Sequence, residues 1–153
     1  MGIQRRRRSR RLSLWPAGLT DRETEEVKLM HVYDWNLMQP QAVTELYRRT
    51  VAQGEKMSVA RLEVAKGSAT RAHRHEHEEV IILLKGCWQF HFTTGDVVLR
   101  PNQMLTITPG AEHSSEVLED VVAIDVCSPT REDWLNGADR TLHDDSDQWL
   151  WGV

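Results

Sequence analysis

Cysteine is scarce in this 153-residue chain, with Cys87 and Cys127 the only two. That excludes a disulfide-stapled secreted scaffold, and without CxxC spacing the pair offers no thiolate metal or redox motif. Long hydrophobic runs are missing as well. The longest, Val80-Ile81-Ile82-Leu83-Leu84, falls far short of the ~18–20 residues a membrane span requires. No unit repeats at the ~20–50-residue periods of solenoids or propellers. At ~100–200 residues per domain the length allows one domain, with no room for a second that could carry a DNA-binding helix-turn-helix. A hydrophobic share of 40% against 27% charged is enough for a core.

Net positive charge is confined to the start of the chain. Residues 1–29 hold eight Lys/Arg, among them Arg5-Arg6-Arg7-Arg8, against four acids, for a net of +4; the whole chain stands at −4, which leaves −8 on residues 30–153. An acidic folded part is a poor phosphate binder, so neither nucleic acid nor membrane is an expected partner. After the arginines only a few apolar residues precede Asp21 and Glu23, too short for a secretory h-region of ~7–15 residues. We expect residues 1–29 to be a disordered basic extension and 30–153 to be the folded domain, in the cytoplasm.

From Met30 onward, short alternating runs are separated by turn residues, the pattern of an all-β sandwich or barrel. Candidate strands are 41–52, 56–65, 70–75, 79–85, 87–93, 97–100, 104–107 and 113–126, with Gly86 among the separators and Thr94-Gly95-Asp96 as a hairpin turn. Trp88, Phe90 and Phe92 alternate with polar residues and read as core. A short helix is expected within 130–142, limited by Gly137. Trp149 and Trp151 in the acidic tail are expected to dock on the barrel or on a partner.

The densest chemistry lies in His73-Arg74-His75-Glu76-His77-Glu78-Glu79. On a strand, residues two apart share a face, so His73, His75, His77 and Glu79 are all candidate ligands by parity. Neutral imidazoles with a carboxylate suit one divalent ion: Ni, Zn, Fe, Co or Mn. The spacing Gly67-x5-His73-x-His75-x3-Glu79-x6-Gly86 resembles the first motif of the cupin superfamily at every position. Asn102 through Pro109-Gly110-Ala111-Glu112-His113 to Val117 is similar to the second motif. It departs at Asn102 for the opening glycine, Thr108 for the first proline and Val117 for the closing asparagine; asparagine also tolerates a left-handed turn.

The resemblance implies a cupin jelly-roll β-barrel of roughly six to eight strands, with motif one at 67–86 and motif two at 102–117. It also implies a metal on His73, His75, Glu79 and His113. His77 drops out, because this family usually turns or bulges at 76–78. A homodimer is a further implication.

Asp125-Val126-Cys127-Ser128-Pro129-Thr130-Arg131-Glu132-Asp133-Trp134 closely resembles a signature of the KdgF-type cupins. These open the ring of 4,5-unsaturated monouronates released from pectin or alginate. The likeness implies active-site positions at Asp125, Cys127 and Arg131, with Cys127 replacing an aromatic residue and Glu79 a glutamine. The expected roles are metal polarisation of a substrate oxygen, proton movement by Asp125, and a carboxylate clamp by Arg131. The substrate is then a small carboxylated sugar. Two alternatives stand beside this: a metal-dependent dioxygenase, and a non-enzymatic ligand-binding cupin. His31, His91 and His143 read as structural or surface residues.

Overall fold

The alternation that marks strands in the sequence is realised almost residue by residue. The computed structural model describes residues 30–144. Residues 30–33 group with the N-terminal unit, and the sheet belongs to the unit that starts at Asp34. The expectations for 1–29 and for Trp149 and Trp151 lie outside the described residues. No described helix is long and apolar enough to cross a membrane.

The strands run β1 (Gln41–Ala42), β2 (Tyr47–Gln53), β3 (Ser58–Val64), β4 (Ala69–His73), β5 (Glu78–Phe92), β6 (Gly95–Leu99), β7 (Met104–Ile107) and β8 (His113–Ser128). Helix α1 (Glu132–Asn136), a 3-10 turn (Ala138–Leu142) and β9 (His143–Asp144) follow. All pairings are antiparallel, in the order β1-β2-β3-β8-β4-β9, and β5 pairs β6, β7 and β8. β8 is the spine. One edge pairs β5 along nearly its whole length; the other pairs β4 near His113 and β3 near Asp125.

β8 buries the odd positions His113, Ser115, Val117, Val121, Ala123, Asp125 and Cys127. β3 buries Ser58, Ala60, Leu62 and Val64. Both follow the period-2 rule for a sheet with one covered face. The apolar members of these stripes pack with Ile81, Leu83, Phe90, Leu99 and Ile107 into one core.

Three expectations about boundaries need correction. The separator assigned to Gly86 lies inside β5, which joins the two runs expected as separate strands. Gly86 sits at φ +93, where its pairing with β8 slips register, and a Cβ there would come 2.2 Å from the Asp120 carbonyl oxygen. The bulge changes which parity faces in: Glu79, Ile81 and Leu83 before it, Trp88 and Phe90 after it. The β5–β6 hairpin turns at Thr93-Thr94, one residue earlier than read, and Gly95 opens β6 opposite Phe92. The expected 41–52 strand is two, because residues 43–46 fold back with the Val43 and Thr44 amides on the Tyr47 carbonyl.

The expected helix exists and ends where Gly137 takes a left-handed conformation, its N–H donating to the Asp133 carbonyl. Asn102, at φ 67, makes the left-handed turn expected of it.

Candidate metal centre

A buried polar side chain without a partner costs ~1–3 kcal/mol, so inward-facing polar residues gathered in a β core mark a site. Here Glu79, His113, Ser115, Asp125 and Arg131 are all buried. They line a common cavity of about 50 Å³ together with His73. At roughly 10–15 Å³ per water, that holds about four waters, or the reacting end of a small molecule.

Three backbone segments deliver the imidazoles. β4 ends at His73, His75 lies in the turn before β5, and His113 opens β8 directly opposite His73. Their ligand atoms lie within 4.8 Å of one another. Each ring is tied at Nδ1 to a backbone carbonyl: His73 to Arg71 at 2.8 Å, His75 to His77 at 3.1 Å, His113 to Ala111 at 2.9 Å. A carbonyl only accepts, so Nδ1 carries the proton in all three. In the neutral rings Nε2 is then left as a lone pair. Burial, followed by the neighbouring His113 and His75, pushes His73 down to about 4, which keeps it neutral at physiological pH.

Glu79 at the start of β5 completes the ring. Its Oε2 is 2.9 Å from His75 Nε2 and 3.7 Å from His113 Nε2. A lone pair facing a carboxylate at 2.9 Å needs a positive charge between or upon them, either a proton or a metal ion. The donor set of three neutral nitrogens and one carboxylate oxygen fits a divalent transition metal. Burial opposes the Glu79 charge, yet the close approach of His75 and then of His113 holds its carboxyl below the usual range.

The strand alternation that made His77 a competing ligand is broken, since 74–77 belongs to neither β4 nor β5. His77 Nε2 turns to the Thr130 carbonyl at 3.3 Å. It stands outside both clusters of ligand atoms found among the described residues, His73/His75/His113 and Glu79/Asp125/Cys127.

Asp125 lies two residues along β8 from Cys127, which pairs with Glu79. Burial and then the Glu79 charge push its carboxyl well above the ordinary carboxylate range, and ligand atoms of Asp125, Glu79 and Cys127 lie within 4.8 Å of one another. Of these two acids, Glu79 is favoured in its charged form and Asp125 in its protonated form. The Cys127 thiol is 3.7 Å from Asp125 Oδ1 and is pushed up by burial, then by Asp125 and Glu79. It is a packed thiol, not a nucleophile.

Arg131 reaches the same cavity, but the carboxylate fork expected for a substrate is made with Asp133. Nε and Nη2 each donate to that carboxylate at 2.8 Å. Nη1 is left towards the Cys127 sulfur at 3.9 Å, so Arg131 offers a ligand one nitrogen.

Other wall residues carried no usable sequence signal. Trp134 is stacked between Arg49 and Arg131, whose guanidinium carbons lie 5.0 and 4.9 Å from its ring. Arg49 is buried and pairs with Asp139 at 2.6 Å. His143, expected to be structural or surface, lies on the cavity wall with Tyr47 and Thr70. The indole N–H of Trp88, also a wall residue, has no hydrogen-bond partner among the described residues.

A double-length β8 pairing with β5, β4 and β3, and a His/Glu ring inside a jelly-roll barrel, define a cupin fold. The Cupin domain family model matches residues 60–127, so this part of the chain carries a Cupin domain. Among solved structures, KdgF from Halomonas sp. is similar with a TM-score of 0.64 at 20% identity, covering 68% of this chain and 99% of that one. An RmlC-like cupin from Shewanella frigidimarina gives 0.64 at 19% identity, covering 69% and 96%. Ectoine synthase from P. lautus gives 0.64 at 14% identity, covering 81% and 99%. No curated protein matches the sequence. Likenesses at these identities establish the fold.

Proposed function

We propose that the chain is a metal-dependent, non-oxidative enzyme that opens the ring of a small unsaturated sugar acid, a 4,5-unsaturated monouronate. The observation that carries this reading is the placement of Asp125. It is buried, lies beside the candidate ligand Glu79 with carboxyl oxygens within 4.8 Å, and shares a small cavity with Arg131. The similarity in fold to KdgF from Halomonas sp. supports the substrate class.

A divalent ion on His73, His75, Glu79 and His113 would supply Lewis-acid polarisation of a substrate oxygen. The rest falls to protein side chains. Opening such a ring moves one proton. It leaves the anomeric hydroxyl, the bond from that carbon to the ring oxygen breaks, the ring oxygen becomes a ketone, and the far alkene carbon gains a proton. Asp125, held as the acid, delivers the proton to carbon. Arg131 Nη1 meets the substrate carboxylate at one point. The unpartnered Trp88 N–H gains an acceptor if a ligand oxygen enters beside it, relieving a cost of ~1–3 kcal/mol.

The test is to load the purified protein with Ni, Zn, Fe, Co or Mn in turn. Unsaturated galacturonate and the alginate-derived monouronates are then followed for loss of double-bond absorbance, with dissolved oxygen recorded in parallel. Chelator-sensitive loss of absorbance at constant oxygen supports the proposal. Oxygen uptake points to the dioxygenase alternative, and saturable binding without turnover to a binding protein; either outcome overturns it.

A further inference from the structure

The cavity has a second chain of proton-carrying groups, apart from the metal donors and Asp125. β9 is only two residues long, and its pairing with β4 sets His143 directly across from Thr70. Their side chains meet: His143 Nδ1 is 3.1 Å from Thr70 Oγ1. On the other side of the ring, Nε2 is 3.2 Å from Asp139 Oδ2. Asp139 is in turn fixed by Arg49, at 2.6 Å from Nη1 and 3.1 Å from Nη2. Thr70 and His143 both line the cavity that holds His73, Glu79 and Asp125.

The chemistry of these atoms sets the direction. An ionised Asp139 only accepts, so Nε2 carries the ring proton and Nδ1 of the neutral ring is a lone pair. That lone pair takes the Thr70 hydroxyl proton, and the Thr70 oxygen is left as an acceptor for a ligand hydroxyl. An aspartate that orients an imidazole whose other nitrogen faces a hydroxyl is the arrangement by which proteins take a proton from oxygen. The Tyr47 ring packs edge-on against His143 with centroids 4.9 Å apart, which holds the imidazole in plane.

We propose that Thr70, His143 and Asp139 form a proton relay that accepts the proton of a ligand hydroxyl in the cavity, with Thr70 touching the ligand, His143 as the base and Asp139 as a positioning residue. The assignment of that hydroxyl to the anomeric position rests on the ring-opening reading. The balance then closes: Thr70 Oγ1 takes the substrate proton as its own passes to His143 Nδ1, while Asp125 gives one to carbon. Exchange with solvent returns His143 and Asp125 to their starting states between turnovers.

Two measurements on the full chain test this. The first is ring-15N NMR of histidine-labelled, Zn-loaded protein, with His143 assigned by its loss in His143→Asn. We expect the proton on Nε2, and an Nδ1 resonance that moves on adding saturated galacturonate in the wild type and stays put in Thr70→Val. The second is turnover of the unsaturated uronate: Thr70→Val and His143→Asn lower kcat by about 100-fold or more with KM little changed, and Thr70→Ser restores kcat. A proton on Nδ1, no response to galacturonate, or full kcat in Thr70→Val overturns the relay. If the wild type turns over no unsaturated uronate, the ring-opening reading falls by itself, and the His143 tautomer and its response to galacturonate still decide the relay.

Discussion

Asp125 and Glu79 are diagonal neighbours across the β5–β8 ladder, Ile81 pairing with Asp125 and Glu79 with Cys127. That offset brings two carboxyls together inside the barrel, Glu79 held towards its charged form and Asp125 towards its protonated form. Asp125→Asn keeps a donor towards Glu79 but has no transferable acid proton. Ring opening should fall by about 100-fold or more, while the thermal midpoint shifts by no more than about 1 kcal/mol allows, since an uncharged side chain of the same shape still offers Glu79 a donor. Full activity in the variant removes Asp125 from the chemistry; a large loss of stability makes its role structural.

The imidazole tautomers carry a separate expectation. With three Nε2 lone pairs preset by backbone carbonyls, a divalent ion should bind the folded state and barely bind the unfolded chain. At 100 times Kd it then adds about 2.7 kcal/mol, a rise of several degrees in Tm for a domain of this size. Thermal melts with and without Ni, Zn, Fe, Co or Mn check this. Chelator should reverse the rise, and His113→Ala should abolish it. An equal rise in His113→Ala moves the ion elsewhere.

Much of the ring was readable because its signal is local or periodic. His73, His75 and Glu79 lie within one short motif, and His113 and Asp125 fall on the same odd positions of one strand. The sequence could not reveal the far wall. Arg49 meets Asp139, and Thr70 meets His143, across chain separations of 90 and 73 residues. β9 is two residues long, too brief for any alternation to announce it. The Asp133 partner of Arg131 was hidden for the opposite reason: it is two residues away, and a local ion pair looks in sequence like two separate charges. Gly86 read as a separator because glycine marks both a turn and a bulge. Only the pairing partner, with the Asp120 carbonyl lying where a side chain would go, distinguishes them.

Gly86 therefore makes its own prediction. Any side chain there suffers twice, from a positive φ and from a backbone oxygen 2.2 Å from its Cβ. Gly86→Ala should cost at least about 1–3 kcal/mol from the backbone conformation alone, more once β8 is displaced. The bulge sets which residues of β5 face inward, so the same change should also disturb packing at Trp88 and Phe90. Urea denaturation followed by tryptophan fluorescence reads both effects, and a variant as stable as the wild type contradicts this account of β5.

The Arg49–Asp139 pair ties the 3-10 turn to β2 in the interior, with both side chains almost wholly inaccessible. Burial alone would raise the Asp139 carboxyl, but the His143 hydrogen bond and then the Arg49 pairing hold it well below its ordinary value. A carboxyl depressed by folding stabilises the protein fully above its unfolded value of about 4, and the contribution drains away as pH falls towards the folded value. Asp139→Asn removes it and leaves Arg49 as a buried charge without its counterion, at a cost of about 3–5 kcal/mol at neutral pH. Urea midpoints for wild type and variant should thus lie far apart at pH 7 and converge as the pH drops through 4 towards 2. Other carboxylates titrate in both proteins and largely cancel in the difference. A gap that stays constant over that range means the pair is not what the low pH breaks.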